Sequence, residues 1–162
     1  MRLKLSILLT FLLVFSVQAG SVKIFKVLPH YLDKDGHNTL SPSLFERDRY
    51  QALLRLDQTK CSTIRFDVQW RNTLKNFDDL SITVEMRGTK TNSPTISFSE
   101  KISSRKSIWS KWTKIRIPEE DFKELEGLGA WRVMIKSGDE ILKEERSFMW
   151  DSTPDPSLIK RK

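Results

Sequence analysis

Two histidines and two aspartates lie close together near the start of the chain, and they could hold a metal ion. The residues are His30, Asp33, Asp35 and His37. Imidazole nitrogens and carboxylate oxygens are common ligands of divalent metals in proteins. Segment 33–36 is also a typical turn sequence, and its glycine comes too early for an EF-hand loop. A turn is therefore the preferred interpretation, with a metal site as the alternative, and no cofactor is predicted.

A nucleophilic active site is not indicated by the sequence. The chain has only two histidines, both before the main set of strands, and no serine has the glycine context of a nucleophile elbow. The carboxylates at 119–121 are explained by the start of a helix, whose dipole favours acids. We therefore predict a non-enzymatic protein. The alternative is a metal-dependent or carbohydrate-active enzyme that uses the four His and Asp residues above.

A second candidate site combines tryptophan with basic residues. Trp112, Lys114 and Arg116 share one face of a predicted strand, and Trp109 precedes them, after the basic stretch Arg105-Lys106. Exposed indoles and cations suit an anionic glycan, an acidic peptide or lipid headgroups. We predict that these four residues form a binding surface.

This surface has an alternative interpretation, in which the long side chains cover their own sheet and Trp109 packs in a loop. The patch would extend to Arg65 and Arg71 if their strand lies beside that of Trp112. The other tryptophans on apolar strand faces are predicted to be core residues: Trp70, Trp131 and Trp150.

Alternation of apolar and polar residues predicts short strands along most of the chain. We expect them at 22–28, ending at Pro29, and then at 64–71, 80–87, 96–102, 112–117 and 131–136, with a turn at 137–139 leading to a last strand that contains Phe148 and Trp150. The run Lys143 to Arg146 in that last strand is typical of a protected sheet edge, although a partner strand could add there.

Two segments depart from this alternation. Ser43 and Glu46 have capping-box spacing, which predicts a helix over 44–56, although the same segment also alternates like a strand. Pro118 and the acids after it predict a short helix to about Leu125.

Seven short strands with one apolar face each predict an all-β, antiparallel two-sheet sandwich with one or two short helices in its connections. Over residues 22–150 the chain resembles immunoglobulin-like or fibronectin-III-like domains. Segment 131–150 is similar to the closing hairpin of bacterial secreted domains of that kind, many of which have no assigned activity. The paired cysteines of true immunoglobulin domains are absent, since Cys61 is the only cysteine. The resemblance implies binding without naming a ligand.

The first residues have the pattern of a secretory signal. Arg2 and Lys4 precede an apolar run from Leu5 to Val17, and Ala19 ends a small-residue cleavage pattern. We predict a signal peptide at 1–19, a sandwich domain at 20–150 and a disordered basic tail at 151–162. The mature protein would be secreted or periplasmic and would have no transmembrane segment; the alternative is that the apolar run stays as an anchor.

The net charge bears on the kind of partner, and the single cysteine bears on how the fold is stabilised. The chain carries a net charge of +7, which falls to +5 if Arg2 and Lys4 leave with the signal. Acids are interspersed with the bases along the chain, so we predict no nucleic-acid partner and favour an envelope protein or an anionic polymer. Cys61 is predicted to be a small buried residue, and no disulfide within the chain is possible.

Overall fold

The computed structural model describes residues 21–73, 77, 79–90, 93–103 and 105–151. The predicted signal peptide lies outside these residues, as does the predicted tail after Asp151. The described residues form seven strands and three helical segments: β1 Val22–Asp33, α1 Leu44–Leu56, β2 Cys61–Asn72, β3 Leu80–Gly88, β4 Thr95–Lys101, β5 Lys111–Arg116, α2 Glu119–Glu124, β6 Leu128–Ser137, β7 Glu140–Arg146 and a 3₁₀ turn Phe148–Trp150.

The strands form two antiparallel sheets, which confirms the all-β sandwich. One sheet has the order β1-β2-β5 and the other has the order β4-β3-β6-β7. β7 is therefore an edge strand, as the run of charges at its end predicts. Among the described residues, no helix combines the length and apolar character needed to cross a membrane.

The core lies between the two sheets and is built from the alternating residues of the central strands. Phe66, Val68 and Trp70 of β2 face the four-stranded sheet and are almost fully buried. The Trp70 indole donates a hydrogen bond to the Thr113 hydroxyl at 2.9 Å, which satisfies its one polar group. Trp131 is half-buried, and its ring packs edge-on against Phe66 at 6.0 Å between centroids. Both tryptophans therefore belong to the core, as predicted.

The first strand is longer than predicted, because it continues through Pro29 to Asp33. Proline cannot donate to a sheet ladder, but an edge strand needs donors on one side only. β1 is such an edge, and Pro29 is paired with Phe66 of β2. The proline therefore marks an edge strand and not the end of the strand.

The end of the domain also differs from the prediction. β6 and β7 form the expected hairpin, with Gly138 in the left-handed conformation at φ 57°. β7 ends at Arg146, so Phe148 and Trp150 lie in the 3₁₀ turn and not in a strand. Trp150 is buried, but against the outer face of the four-stranded sheet and outside the inter-sheet core.

Both predicted helices are present. α1 spans the predicted residues, although the Ser43 side chain makes no capping hydrogen bond, so that half of the predicted capping box is wrong. α2 brings Phe122 into contact with the Tyr31 ring of β1, at 6.2 Å between centroids. α1 also contacts Tyr31, through Gln51 and Arg55, so both helices pack at the end of the three-stranded sheet where β1 ends.

Candidate functional site

The outer face of the three-stranded sheet brings most of the candidate basic residues together. The strand register aligns Arg116 with Arg65 and His30, Lys114 with Asp67 and Leu28, and Trp112 with Gln69 and Lys26. Arg71 and Lys23 form a further row toward the start of β1. We call this surface the cationic face, and its members are Lys23, Lys26, Leu28, His30, Arg65, Asp67, Gln69, Arg71, Trp112, Lys114 and Arg116.

Charge on the cationic face is strongly unbalanced. Its only acid is Asp67, whose two carboxylate oxygens accept hydrogen bonds from the Arg65 guanidinium at 2.7 and 2.9 Å. This pair leaves Lys26, Lys114 and Arg116 with no ion pair to any described residue. Uncompensated charge on one face produces a field that attracts anions.

Aromatic side chains are exposed on and beside this face. Trp112 is 49% exposed on β5, and Trp109 is 76% exposed in the loop before it. That loop is fastened by a hydrogen bond from Arg71 to the Ile108 carbonyl at 3.3 Å. Trp112, Lys114 and Arg116 therefore share one surface, as the alternation predicts, whereas Trp109 lies at its margin.

A cleft of about 620 Å³ opens on the cationic face. Its floor is the sheet, and its wall is the segment after β1 together with the first turn of α1. The floor residues are Leu28, His30, Asp67, Trp112 and Lys114; the wall residues are Asn38, Thr39, Ser41, Pro42 and Arg47. Volumes of about 300–1,000 Å³ are usual for small-ligand sites.

Helix α1 holds the cleft wall in place through one amide side chain. The Gln51 side chain accepts a hydrogen bond from the Tyr31 N–H at 2.8 Å and donates to the Tyr31 carbonyl at 2.9 Å. It also donates to the Asn38 carbonyl at 2.7 Å. Gln51 thus ties the cleft wall, at Asn38, to β1 of the sheet that forms the floor.

The predicted metal residues are divided between two places. Donor atoms of Asp33, Asp35 and His37 lie within 4.8 Å of one another. His30 lies apart from them on the cationic face, with its Nε2 3.7 Å from an Asp67 carboxylate oxygen. The four residues therefore do not surround one point.

The Asp33 carboxylate already has several partners. It accepts hydrogen bonds from the Tyr50 hydroxyl at 2.6 Å and from the amides of His37 and Asp35 at 2.8 and 3.0 Å. Burial would raise the pKa of Asp33, but these hydrogen bonds outweigh it and lower the pKa. The same contact with Asp33 raises the pKa of Tyr50 to about 12. These hydrogen bonds give Asp33 a structural role, which is to hold the turn at 33–37.

Two further groups have altered pKa values because of their surroundings. Burial lowers the pKa of His30, since the attraction of Asp67 is smaller and Arg65 and Arg47 oppose protonation. Burial also raises the pKa of Cys61 to about 11. A thiol with such a pKa is protonated at neutral pH, so Cys61 behaves as the predicted buried core residue.

No family model, no curated protein and no solved structure matches the chain. The candidate site therefore depends on its own geometry. Reasoning from the sequence missed Arg47 and Gln51, because both lie in a helix with few buried residues. No signal in the sequence links that helix to β5.

Proposed function

We propose that this protein is an exported, non-enzymatic domain that binds an anionic extracellular polymer on its cationic face. The observation that carries the proposal is the charge of that face: six lysines and arginines accompany a single acid, Asp67, which is already paired with Arg65. Export is inferred from the leader at residues 1–19.

The composition of the face favours a polymer over a folded envelope protein. Protein interfaces are depleted in lysine, whereas this face has a lysine in three of its four rows. Two exposed aromatic side chains accompany these cations: Trp112, in the row of Gln69 and Lys26, and Phe25, whose ring centroid lies 5.2 Å from the Arg71 guanidinium. An indole beside cations suits a sugar ring that carries a negative group, because the ring stacks and the charge is neutralised.

The fold supports a binding role in a general way. We infer an immunoglobulin-like domain closer to the fibronectin-III-like type, because β4 pairs with β3. In constant-type immunoglobulin domains the fourth strand lies in the sheet of the first two strands. Such sandwiches have many functions, so the fold adds no ligand of its own.

Calorimetric titration of the purified protein with polygalacturonate tests the proposal. We expect saturable binding that weakens as salt is raised, because exposed charges are screened, and no binding to neutral dextran. No binding at low salt would overturn the proposal. Tighter binding to poly-glutamate or to single-stranded DNA would also overturn it, because an acidic peptide or a nucleic acid would then fit the face better.

The rival function is metal-dependent catalysis, and the close approach of Asp33, Asp35 and His37 is the observation in its favour. Elemental analysis of the purified protein separates the two. Stoichiometric metal that is lost in His37→Ala would favour an enzyme. N-terminal sequencing of the exported product tests the leader separately, since a chain that still begins at Met1 would indicate an anchor.

A further inference from the structure

We propose that the cleft on the cationic face binds a single uronic acid unit of the polymer, with its carboxylate between Arg47 and Lys114 and its ring against Trp112. This inference rests on the proposed function and names the part of the ligand that is recognised. Three features of the cleft carry it: the two cations that line it, the pairing of its acid with Arg65 and the placement of its aromatic ring.

The cleft has two cations from different parts of the fold. Lys114 extends from β5 and Arg47 from the first turn of α1, and both line the same space. Neither forms an ion pair with a described residue, so both are available to an incoming anion. Arginine matches the planar carboxylate with two parallel donors, which a point charge cannot do.

The acid in the cleft does not cancel these cations. Asp67 lines the floor, but both of its oxygens are held by Arg65. His30 lies beside it, and burial keeps its pKa low, so the imidazole is available as a neutral hydrogen-bonding group. The cleft therefore combines a net positive charge with neutral polar groups that suit sugar hydroxyls.

The aromatic ring gives the cleft an apolar floor. Trp112 is half exposed and lines the cleft together with Leu28. Because the flat apolar side of a pyranose ring stacks on an indole, one unit of the polymer would lie on Trp112 with its neighbours along the cationic face. The cleft then fixes the position of one unit, and the face holds the rest of the chain by charge.

Titration of tri-galacturonate into the purified protein tests the assignment, with Arg47→Gln as the decisive variant. We expect the trimer to bind the unmodified protein and Arg47→Gln to weaken this binding about tenfold. The polymer should lose less affinity, because the face keeps its other cations. Arg49→Gln is the matched control, since Arg49 has the same charge and helix but lines a different hollow. Its trimer affinity should be unchanged.

The outcomes separate this inference from the proposed function. If the polymer binds but the trimer does not, or Arg47→Gln binds the trimer as tightly as Arg49→Gln, the cleft assignment is wrong and the face remains. If the polymer does not bind, the proposed function itself fails. Equal, Arg47-dependent binding of a sulfated trisaccharide would overturn the uronic acid in favour of any acidic sugar. Unchanged circular dichroism and thermal unfolding of both variants will confirm that they fold.

Discussion

The outer faces of the two sheets are built on the same strand alternation but present opposite surfaces to solvent. On the four-stranded sheet, Arg132 donates to Glu85 at 2.7 Å and lies 3.7 Å from Glu144. Arg146 extends the series to Glu144 and Asp151. We call this surface the charge-paired face. On the cationic face, a single pair between Arg65 and Asp67 leaves most of the charge uncompensated.

The tryptophans on the two faces differ in exposure as the charges differ in pairing. Trp150 folds back over the charge-paired face, where the guanidinium groups of Arg87 and Arg132 lie 4.0 and 5.1 Å from its ring centroid. Trp112 on the cationic face remains half exposed. One face therefore pairs its arginines and its indole internally, while the other leaves most of its cations and its indole available. This difference indicates which side of the sandwich meets a ligand.

The largest expected effect concerns the stability of the two tryptophan sites. Trp150→Ala should lower the free energy of unfolding by about 3 kcal/mol, because it removes a buried indole that stacks on two guanidinium groups. Trp112→Ala should cost less than about 1 kcal/mol, as expected for a half-exposed side chain. Urea unfolding of both variants measures the contrast. Equal losses would mean that Trp112 has a structural role after all.

The next effect concerns binding. Lys114→Glu should weaken binding of polygalacturonate at least about tenfold, because a repulsive charge enters the ligand surface. Lys136→Glu changes the net charge by the same amount on β6 of the other sheet and should alter affinity less than about twofold. Calorimetry on both proteins is the measurement, and similar losses would show that only the overall charge matters.

A smaller effect should follow from removing the acid on each face. Asp67→Asn takes away the one negative charge of the cationic face and should strengthen polymer binding by about threefold, at a cost in stability of about 1 kcal/mol. Glu85→Gln breaks the matching pair on the other face, with a similar cost in stability but no gain in affinity. A gain in both variants would remove the distinction between the faces.

The smallest effect concerns pH. The pKa of His30 in the folded protein lies below its ordinary value of 6.5, so the unfolded chain binds the proton more readily. The free energy of unfolding should therefore decline as pH falls from 6.5 to the folded pKa, and the decline should be smaller in His30→Gln. Both proteins keep His37, so the difference between their pH profiles in urea unfolding isolates His30. Identical profiles would contradict the lowered pKa of His30 in the folded protein.

The strands were predictable wherever burial alternates along one segment. Phe66, Val68 and Trp70 of β2 have this pattern because one side of the strand faces the opposite sheet. The same pattern misled at the end of the chain, where Phe148 and Trp150 have strand spacing but no ladder partner after Arg146. Apolar spacing over three residues does not distinguish a strand from a short turn.

The sequence predicted only the part of the candidate site that lies within one strand, β5. Alternation places Trp112, Lys114 and Arg116 on one face, but the partner strand and the cleft wall come from distant segments. Bases and acids are mixed along the sequence, but the fold places six bases and a single acid on the cationic face. The mixture of charges along the sequence therefore does not extend to this face. That the protein has no nucleic-acid partner remains a prediction.

The side chain of Gln51 has one further consequence, which concerns self-association. β1 is an edge strand, and an edge presents unpaired backbone donors and acceptors that another molecule could extend. Gln51 occupies one such pair at Tyr31 as a neighbouring chain would. It therefore stands where a second copy would start to add, and its loss would open a route to edge-to-edge aggregation.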